Sequence, residues 1–313
     1  MGIQFDAATT LETPTGAALR LYVQRPEGEP RGIVQINHGL AEHAARYARF
    51  AAFLAGRGFA AYAHDHRGHG RTKAPGAPLG SFGPEPAADK VLADVLAVNE
   101  RIAADYPGLP VILFGHSMGA MIALTFLMRH ADRIAAAALW NMPLASRPEA
   151  RAAKLLLAWE RFRLGSDVPS RLMPRLTFRA WAKAFPDART PFDWLSRDSG
   201  EVEKYIADPL CGWDATVGMW RGVFDFNLMA ADDRALASIP KPLPIQLVGG
   251  AADPATAGGI ALKRLERRLR RAGFSNLETS IYPETRHESL NELNREIIME
   301  DFARWVGRAV APA

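Results

Sequence analysis

Residues 115–119 read Gly-His-Ser-Met-Gly, a G-x-S-x-G pattern set between the apolar run VILF and a helix-forming stretch. A serine so placed can attack a carbonyl. A sharp strand-to-helix turn strains the backbone and lifts the Ser117 hydroxyl clear of the sheet, while the glycines let strand and helix pack closely. The start of the following helix aims free N–H groups, that of Met118 among them, at the place where negative charge gathers during attack. A hydroxyl is a weak nucleophile at neutral pH, so a base and a carboxylate to orient it must come from elsewhere. Asp253, in the loop after the apolar run ending LVGG, and His287, in the loop after LETSIY, are the candidates, because residues after strands gather at the same edge of a sheet. Asp232 and Asp233 are weaker choices, and Glu284 and Glu288 lie too near His287 in sequence to reach its far nitrogen. A second oxyanion donor is expected from INHGLAEH at 36–43: Gly39 lets the backbone approach a substrate, and the Leu40 N–H joins that of Met118. His38 and His43 are read as buried hydrogen-bonding residues that shape this loop.

The stretch HDHRGHG at 64–70 raises metal chemistry, since His64, His66 and His69 are spaced like zinc ligands. A metallo-β-lactamase-type H-x-H-x-D-H site needs an aspartate at position 68, where Gly68 stands. No metal and no cofactor are expected.

The elements that must position these residues alternate. Strand-like runs fall at 19–24, 32–38, 59–66 and 111–117, with helical periodicity at about 44–55 and 90–103 between the last three. That rhythm predicts a parallel sheet covered on both faces. It continues through a helix at 119–130 and a strand at 134–140, and resumes with a strand at 244–250, a helix at 257–272, a strand at 277–282 and a closing helix at 297–306. Residues 145–238 interrupt it with helix-like periodicity and no convincing strand. The division expected is a core in two parts, 1–144 and 239–313, with 145–238 inserted as a helical cap or lid. The insertion holds five of the seven tryptophans and six phenylalanines. Most are expected to form its own small core, with some facing the sheet to meet an apolar substrate.

With 48% hydrophobic residues in 313, the chain can bury a large core. A net charge of +4 is too small to argue for nucleic acid. No basic cluster followed by an apolar run opens the sequence, and no apolar run could cross a bilayer. The single Cys211 permits no internal disulfide. A soluble cytoplasmic protein is expected.

HGLAEHAARY (38–47), DHRGHG (65–70), GHSMG (115–119), GAADP (250–254) and the histidine of YPETRH (282–287) resemble the monoacylglycerol lipase and lysophospholipase-like branch of the α/β-hydrolases, also called serine aminopeptidase-like hydrolases. The order Ser117, Asp253, His287 is the order expected of that fold. The resemblance implies an α/β-hydrolase fold, with a mostly parallel central sheet flanked by helices and an inserted helical cap. It implies Ser117, Asp253 and His287 as a triad, Leu40 and Met118 as oxyanion donors, and Asp65, Arg67, Gly68 and Gly70 as a tight turn tied down by polar side chains. One departure is Ala41, where the motif HGxGEH has a glycine. The function implied is a serine hydrolase that cleaves small carboxylic esters or lipids of apolar acyl chains through an acyl-enzyme. An alternative is a proline-releasing aminopeptidase, which would need Glu160, Asp167, Glu201 or Glu203 to hold a substrate amine. Another is a catalytically silent, ligand-binding member of the fold. The basic run KRLERRLRRAG (263–273), with Leu262, Leu265 and Leu269 on one face, is read as a surface helix docked on the sheet, with anionic membrane contact as the sharper possibility.

Overall fold

A computed structural model describes residues 3–311. Eight strands form one sheet: β1 (Ala7–Glu12), β2 (Ala18–Gln24), β3 (Ile33–Asn37), β4 (Ala60–His64), β5 (Val111–His116), β6 (Ala136–Trp140), β7 (Ile245–Gly250) and β8 (Leu277–Tyr282). Their spatial order is β1-β2-β4-β3-β5-β6-β7-β8. The strands from β3 to β8 pair in parallel, while β2 runs antiparallel to both β1 and β4. Strand β1 is absent from the sequence-based expectation. Its residues AATTLE lie largely exposed, so no apolar alternation marks them, and pairing with β2 is what makes them a strand.

Period-two alternation sends side chains to two cores. Val34 and Ile36 of β3 join Ile112 and Phe114 of β5 on one face, under α1 (Ala48–Ala55) and α10 (Arg295–Ala309). Ile33 and Leu113 point to the other face, under α2 (Ala87–Asp105), α3 (Met118–His130) and, further along, α9 (Ile260–Arg271). Helix α9 begins later than the pattern predicts because Ala257, Gly258 and Gly259 take φ of 51°, 65° and 83° in succession, which no right-handed helix admits. Its Leu262, Leu265 and Leu269 are buried against the sheet.

Between β6 and β7 lie α4 (Arg147–Leu164), α5 (Met173–Leu176), α6 (Phe178–Ala182), α7 (Ser199–Ala207) and α8 (Val217–Ala230). Helix α4 starts on a capping box in which Ser146 and Glu149 satisfy each other's end of the first turn. Trp194, Leu195, Tyr205 and Cys211 form a small core, with Phe178, Trp181, Phe185 and Phe192 packed on it. Helix α8 instead buries Met219, Val223 and Phe226 in the main core beside α3. Among the described residues no helix is long and apolar enough to cross a membrane.

Candidate active site

Ser117 occupies the turn between β5 and α3 with φ 54° and ψ −118°, an unusual conformation for a residue with a side chain. Its N–H donates to the Trp140 carbonyl at 2.9 Å. The strain is enforced by contact: a Cβ at Gly115 would lie 2.3 Å from the Gly119 carbonyl oxygen, and one at Gly119 would lie 2.1 Å from that of Asn37. Only bare backbone lets β5, α3 and β3 meet this closely.

The sheet edge brings Asp253 and His287 to the same place. His287 Nε2 stands 2.9 Å from Ser117 Oγ, and its Nδ1 lies 3.0 Å from both carboxylate oxygens of Asp253. Asp253 is fully buried and accepts further hydrogen bonds from Asn141 Nδ2 at 3.1 Å and the Ala255 N–H at 2.9 Å. Burial works to raise its pKa, but the charge and hydrogen bond of His287, with the bonds from Asn141 and Ala255, outweigh it and hold the carboxyl below its usual range. An ionised Asp253 accepts only, so the neutral imidazole carries its proton on Nδ1 and turns an acceptor, Nε2, to the serine.

The Leu40 loop faces this group. The Gly39 N–H donates to Glu42 Oε1 at 2.6 Å, whereas among the described residues the N–H groups of Leu40 and Met118 have no acceptor. His38 donates from Nδ1 to the Gly39 carbonyl at 2.7 Å and accepts the His66 N–H on Nε2 at 3.0 Å. Burial pushes its pKa down to about 3, so it remains a neutral brace of the loop. Ala41 is held at φ 58°, and its carbonyl accepts from the Tyr205 hydroxyl at 2.9 Å and the Gly212 N–H at 3.0 Å. Gly39, Leu40, Ser117, Met118 and His287 open onto a cavity whose other walls include Phe178, Trp181, Trp194 and Trp220. The Trp194 ring lies 5.1 Å from that of His287, and the Leu195 carbonyl accepts the Glu288 N–H at 2.7 Å. The segment between β6 and β7 therefore helps hold the loop that carries His287.

The sequence matches the family described as serine aminopeptidase, S33, over residues 28–294. The chain belongs to that family. It is a serine ester hydrolase of the α/β-hydrolase type. The hydrolase is 30% identical to human monoglyceride lipase over 232 residues, 73% of this chain and 67% of that one. It is 27% identical to the monoacylglycerol lipase of Mycolicibacterium smegmatis over 298 residues, 93% of each chain. A lipase solved in an open form superposes with a TM-score of 0.85 at 29% identity, covering 98% of this chain and 99% of that one. A carboxyl esterase from Bacillus coagulans shares the fold with a TM-score of 0.88 at 23% identity, covering 97% and 99%.

In this hydrolase the HDHRGHG stretch is a tied-down turn. Asp65 accepts the N–H groups of Ala44 and Arg71, both at 2.8 Å. Arg67 forms a buried pair with Asp94 at 2.7 Å. Gly68 and Gly70 supply the left-handed φ of 71° and 52° that the turn requires. His64, His66 and His69 do not gather into a ligand set; among the described residues the one such group is His43, Asp208 and Cys211. There His43 Nε2 is already bonded to Asp208 at 2.8 Å, and burial pushes the Cys211 thiol pKa up, which disfavours the thiolate a metal needs.

Four residues escaped sequence reasoning. Asn141 steadies Asp253, and its mark in the sequence is a polar residue directly after the buried strand IAAAALW. Glu42 fixes Gly39, and His116 touches both Glu42 and the His287 carbonyl; both sit inside the quoted motifs. Trp194 carries no local mark, because its neighbour His287 is distant in sequence.

Proposed function

We propose that Ser117, His287 and Asp253 form the catalytic triad of an enzyme that cleaves monoacylglycerol-like or lysophospholipid-like esters through an acyl-enzyme. The observation that supports it best is the unbroken hydrogen-bonded chain from Ser117 Oγ through His287 to a buried carboxylate. His287 Nε2 takes the hydroxyl proton as Oγ bonds to the ester carbon. The N–H groups of Leu40 and Met118 hold the oxyanion, each contributing about 3 kcal/mol to the transition state. The ester C–O bond then breaks, and His287 passes its proton to the leaving alcohol. Water next gives a proton to His287 as its oxygen bonds to the acyl carbon; the acyl carbon–Oγ bond then breaks, His287 returns the proton to Ser117 Oγ, and the acid leaves.

An apolar acyl chain suits the aromatic walls of the cavity, and residues 145–238 act as the cap that supplies them. The aminopeptidase alternative lacks support. Glu160 is buried against Ser170 and Arg171, Glu201 pairs with Arg49 and Lys204, Glu203 pairs with Arg189, and neither they nor Asp167 line the cavity. A lipid substrate also requires approach to a lipid surface. Helix α9 offers charge alone, its leucines being buried, whereas α4 exposes Leu155, Trp159 and Phe162. A cytoplasmic setting suits the one free thiol, Cys211.

A fluorophosphonate probe should label the native protein and not Ser117→Ala. Turnover of p-nitrophenyl esters of graded chain length should exceed that of aminoacyl anilides; a folded protein that is neither labelled nor active on esters would show this reading to be wrong. Sedimentation with anionic vesicles at low and high salt separates charge-driven binding from insertion of α4, which persists in salt.

A further inference from the structure

The reaction described above makes no use of His116, the residue before Ser117. Its ring is buried and engaged at both nitrogens, with Nδ1 3.2 Å from Glu42 Oε1 and Nε2 3.0 Å from the backbone carbonyl of His287. A carbonyl oxygen only accepts, so Nε2 carries a proton. Glu42 behaves as an ionised carboxylate: Oε1 accepts from the Gly39 N–H at 2.6 Å and the Tyr47 hydroxyl at 2.9 Å, and Oε2 accepts from Arg46 at 2.7 Å. Nδ1 must therefore donate as well.

We propose that His116 is held as a doubly protonated imidazolium and serves as a positioning residue that joins the Leu40 loop to the loop of His287. The role in positioning rests on the reading of Ser117 and His287 given above; the charge on the ring does not.

The surrounding charges require that proton. Two carboxylates, Glu42 and Glu288, face one guanidinium, Arg46, which bonds Glu288 through both nitrogens at 2.6 and 2.7 Å. Without a charge on His116 the buried cluster is left with one unbalanced carboxylate, a costly state away from water. The remaining titratable neighbours do not supply a cation. Burial pushes Tyr47, Tyr205 and the Cys211 thiol up, so all three are neutral, and the ring nitrogens of His287 bond Asp253 and Ser117 rather than this cluster. Burial opposes a charged His116 too, but the hydrogen bond and charge of Glu42, with the His287 carbonyl, outweigh it and raise its pKa above the ordinary histidine value.

The ring thereby couples two loops with separate tasks. Glu42 holds the Gly39 N–H, leaving the next N–H, that of Leu40, unbonded toward the cavity, and Nε2–H of His116 steadies the backbone of His287. When pH rises through the raised pKa, the Nδ1 proton leaves, a lone pair faces the carboxylate, and the link breaks. Its contribution is complete below the ordinary histidine pKa and is lost above the folded-state value, so activity should fall on the alkaline side.

NMR of protein labelled with 15N-histidine should show both ring nitrogens of His116 protonated at neutral pH, the signals being assigned by their absence in His116→Gln. Their titration should coincide with an alkaline limb in kcat/KM for a short p-nitrophenyl ester. Glu42→Gln removes the stabilising charge and should move both to lower pH by about 1–3 units. His116→Gln should lose that limb and lower kcat by up to about a hundredfold with little change in KM. Should the variants not fold, the wild-type ring signals, assigned through bond couplings from the His116 ring to its sequentially assigned backbone, still decide the charge state. A single protonated ring nitrogen at neutral pH overturns the proposal, as does an alkaline limb that Glu42→Gln leaves in place. Turnover persisting in Ser117→Ala would instead overturn the reading of the site, with the His116 signals judged on their own.

Discussion

Replacing Asp253 with asparagine keeps the shape of the buried side chain while removing its charge and two of its acceptor positions. In the native protein Oδ1 accepts the Ala255 N–H, Oδ2 accepts Asn141 Nδ2, and both lie 3.0 Å from His287 Nδ1. Whichever way the new amide turns, its NH2 group meets a donor already in place. The mismatch is relieved when His287 moves its proton to Nε2, and then the imidazole cannot take the proton of Ser117. Loss of the charge adds to this, because a unit charge about 4 Å from the developing imidazolium is worth about 4 kcal/mol at an effective dielectric of about 20, roughly a thousandfold in rate. With the wrong tautomer, the fall in kcat should reach about 10⁴-fold. Stopped-flow and steady-state hydrolysis of a short p-nitrophenyl ester, beside circular dichroism to confirm the fold, measures it. A folded Asp253→Asn protein that keeps more than about a tenth of the native rate would refute the assignment of Asp253 as the orienting carboxylate.

Gly119→Ala places a Cβ 2.1 Å from the Asn37 carbonyl oxygen, backbone that cannot swing aside, and should destabilise the fold by about 2–3 kcal/mol in urea titration; an unchanged midpoint contradicts that contact. Arg67→Met strands the Asp94 carboxylate in a pair whose side chains are each 1% exposed, and should cost about 3–5 kcal/mol, much of it recovered in the Arg67→Met/Asp94→Leu double variant. Asp198 caps α7 through the N–H groups of Gly200 and Glu201 and pairs with Arg295, which together hold its pKa below the ordinary aspartate value despite some opposing burial. Asp198→Ala should lose about 1 kcal/mol at neutral pH. Because the folded-state pKa is depressed, the gap between native and variant protein should be complete above the ordinary aspartate pKa and close as pH falls through the folded value. A gap independent of pH would count against the ionised cap.

Much of the core was readable from the chain. Seven strands fall where β-rich runs predict them, and in the central parallel strands β3 to β7 the cause is burial on both faces, which demands apolar residues at nearly every position. The missed β1 has mostly exposed side chains, and the shifted start of α9 comes from left-handed backbone at Ala257, Gly258 and Gly259, where the Gly-Gly pair marks a turn that the helical periodicity overran. The motifs drew attention to Ser117, Asp253, His287, Gly39, Leu40 and Met118, and these stand around one cavity, with Asp253 behind His287. The tryptophans were visible as a group, but which of them would turn toward His287 was not.

The division follows from range. Contiguous residues specify strand, turn and helix, because alternation and glycine spacing act between neighbours only a few bonds apart. Residue order along the chain, together with the rule that loops after parallel strands share one edge, also marks which side chains can meet. Only tertiary structure decides what holds them there: Asn141 behind Asp253, the Leu195 carbonyl against the loop of His287, and two carboxylates set around Arg46 and His116. Those partners come from elements far apart in sequence, and a hydrogen bond or a buried charge depends on ångström distances that no local pattern records.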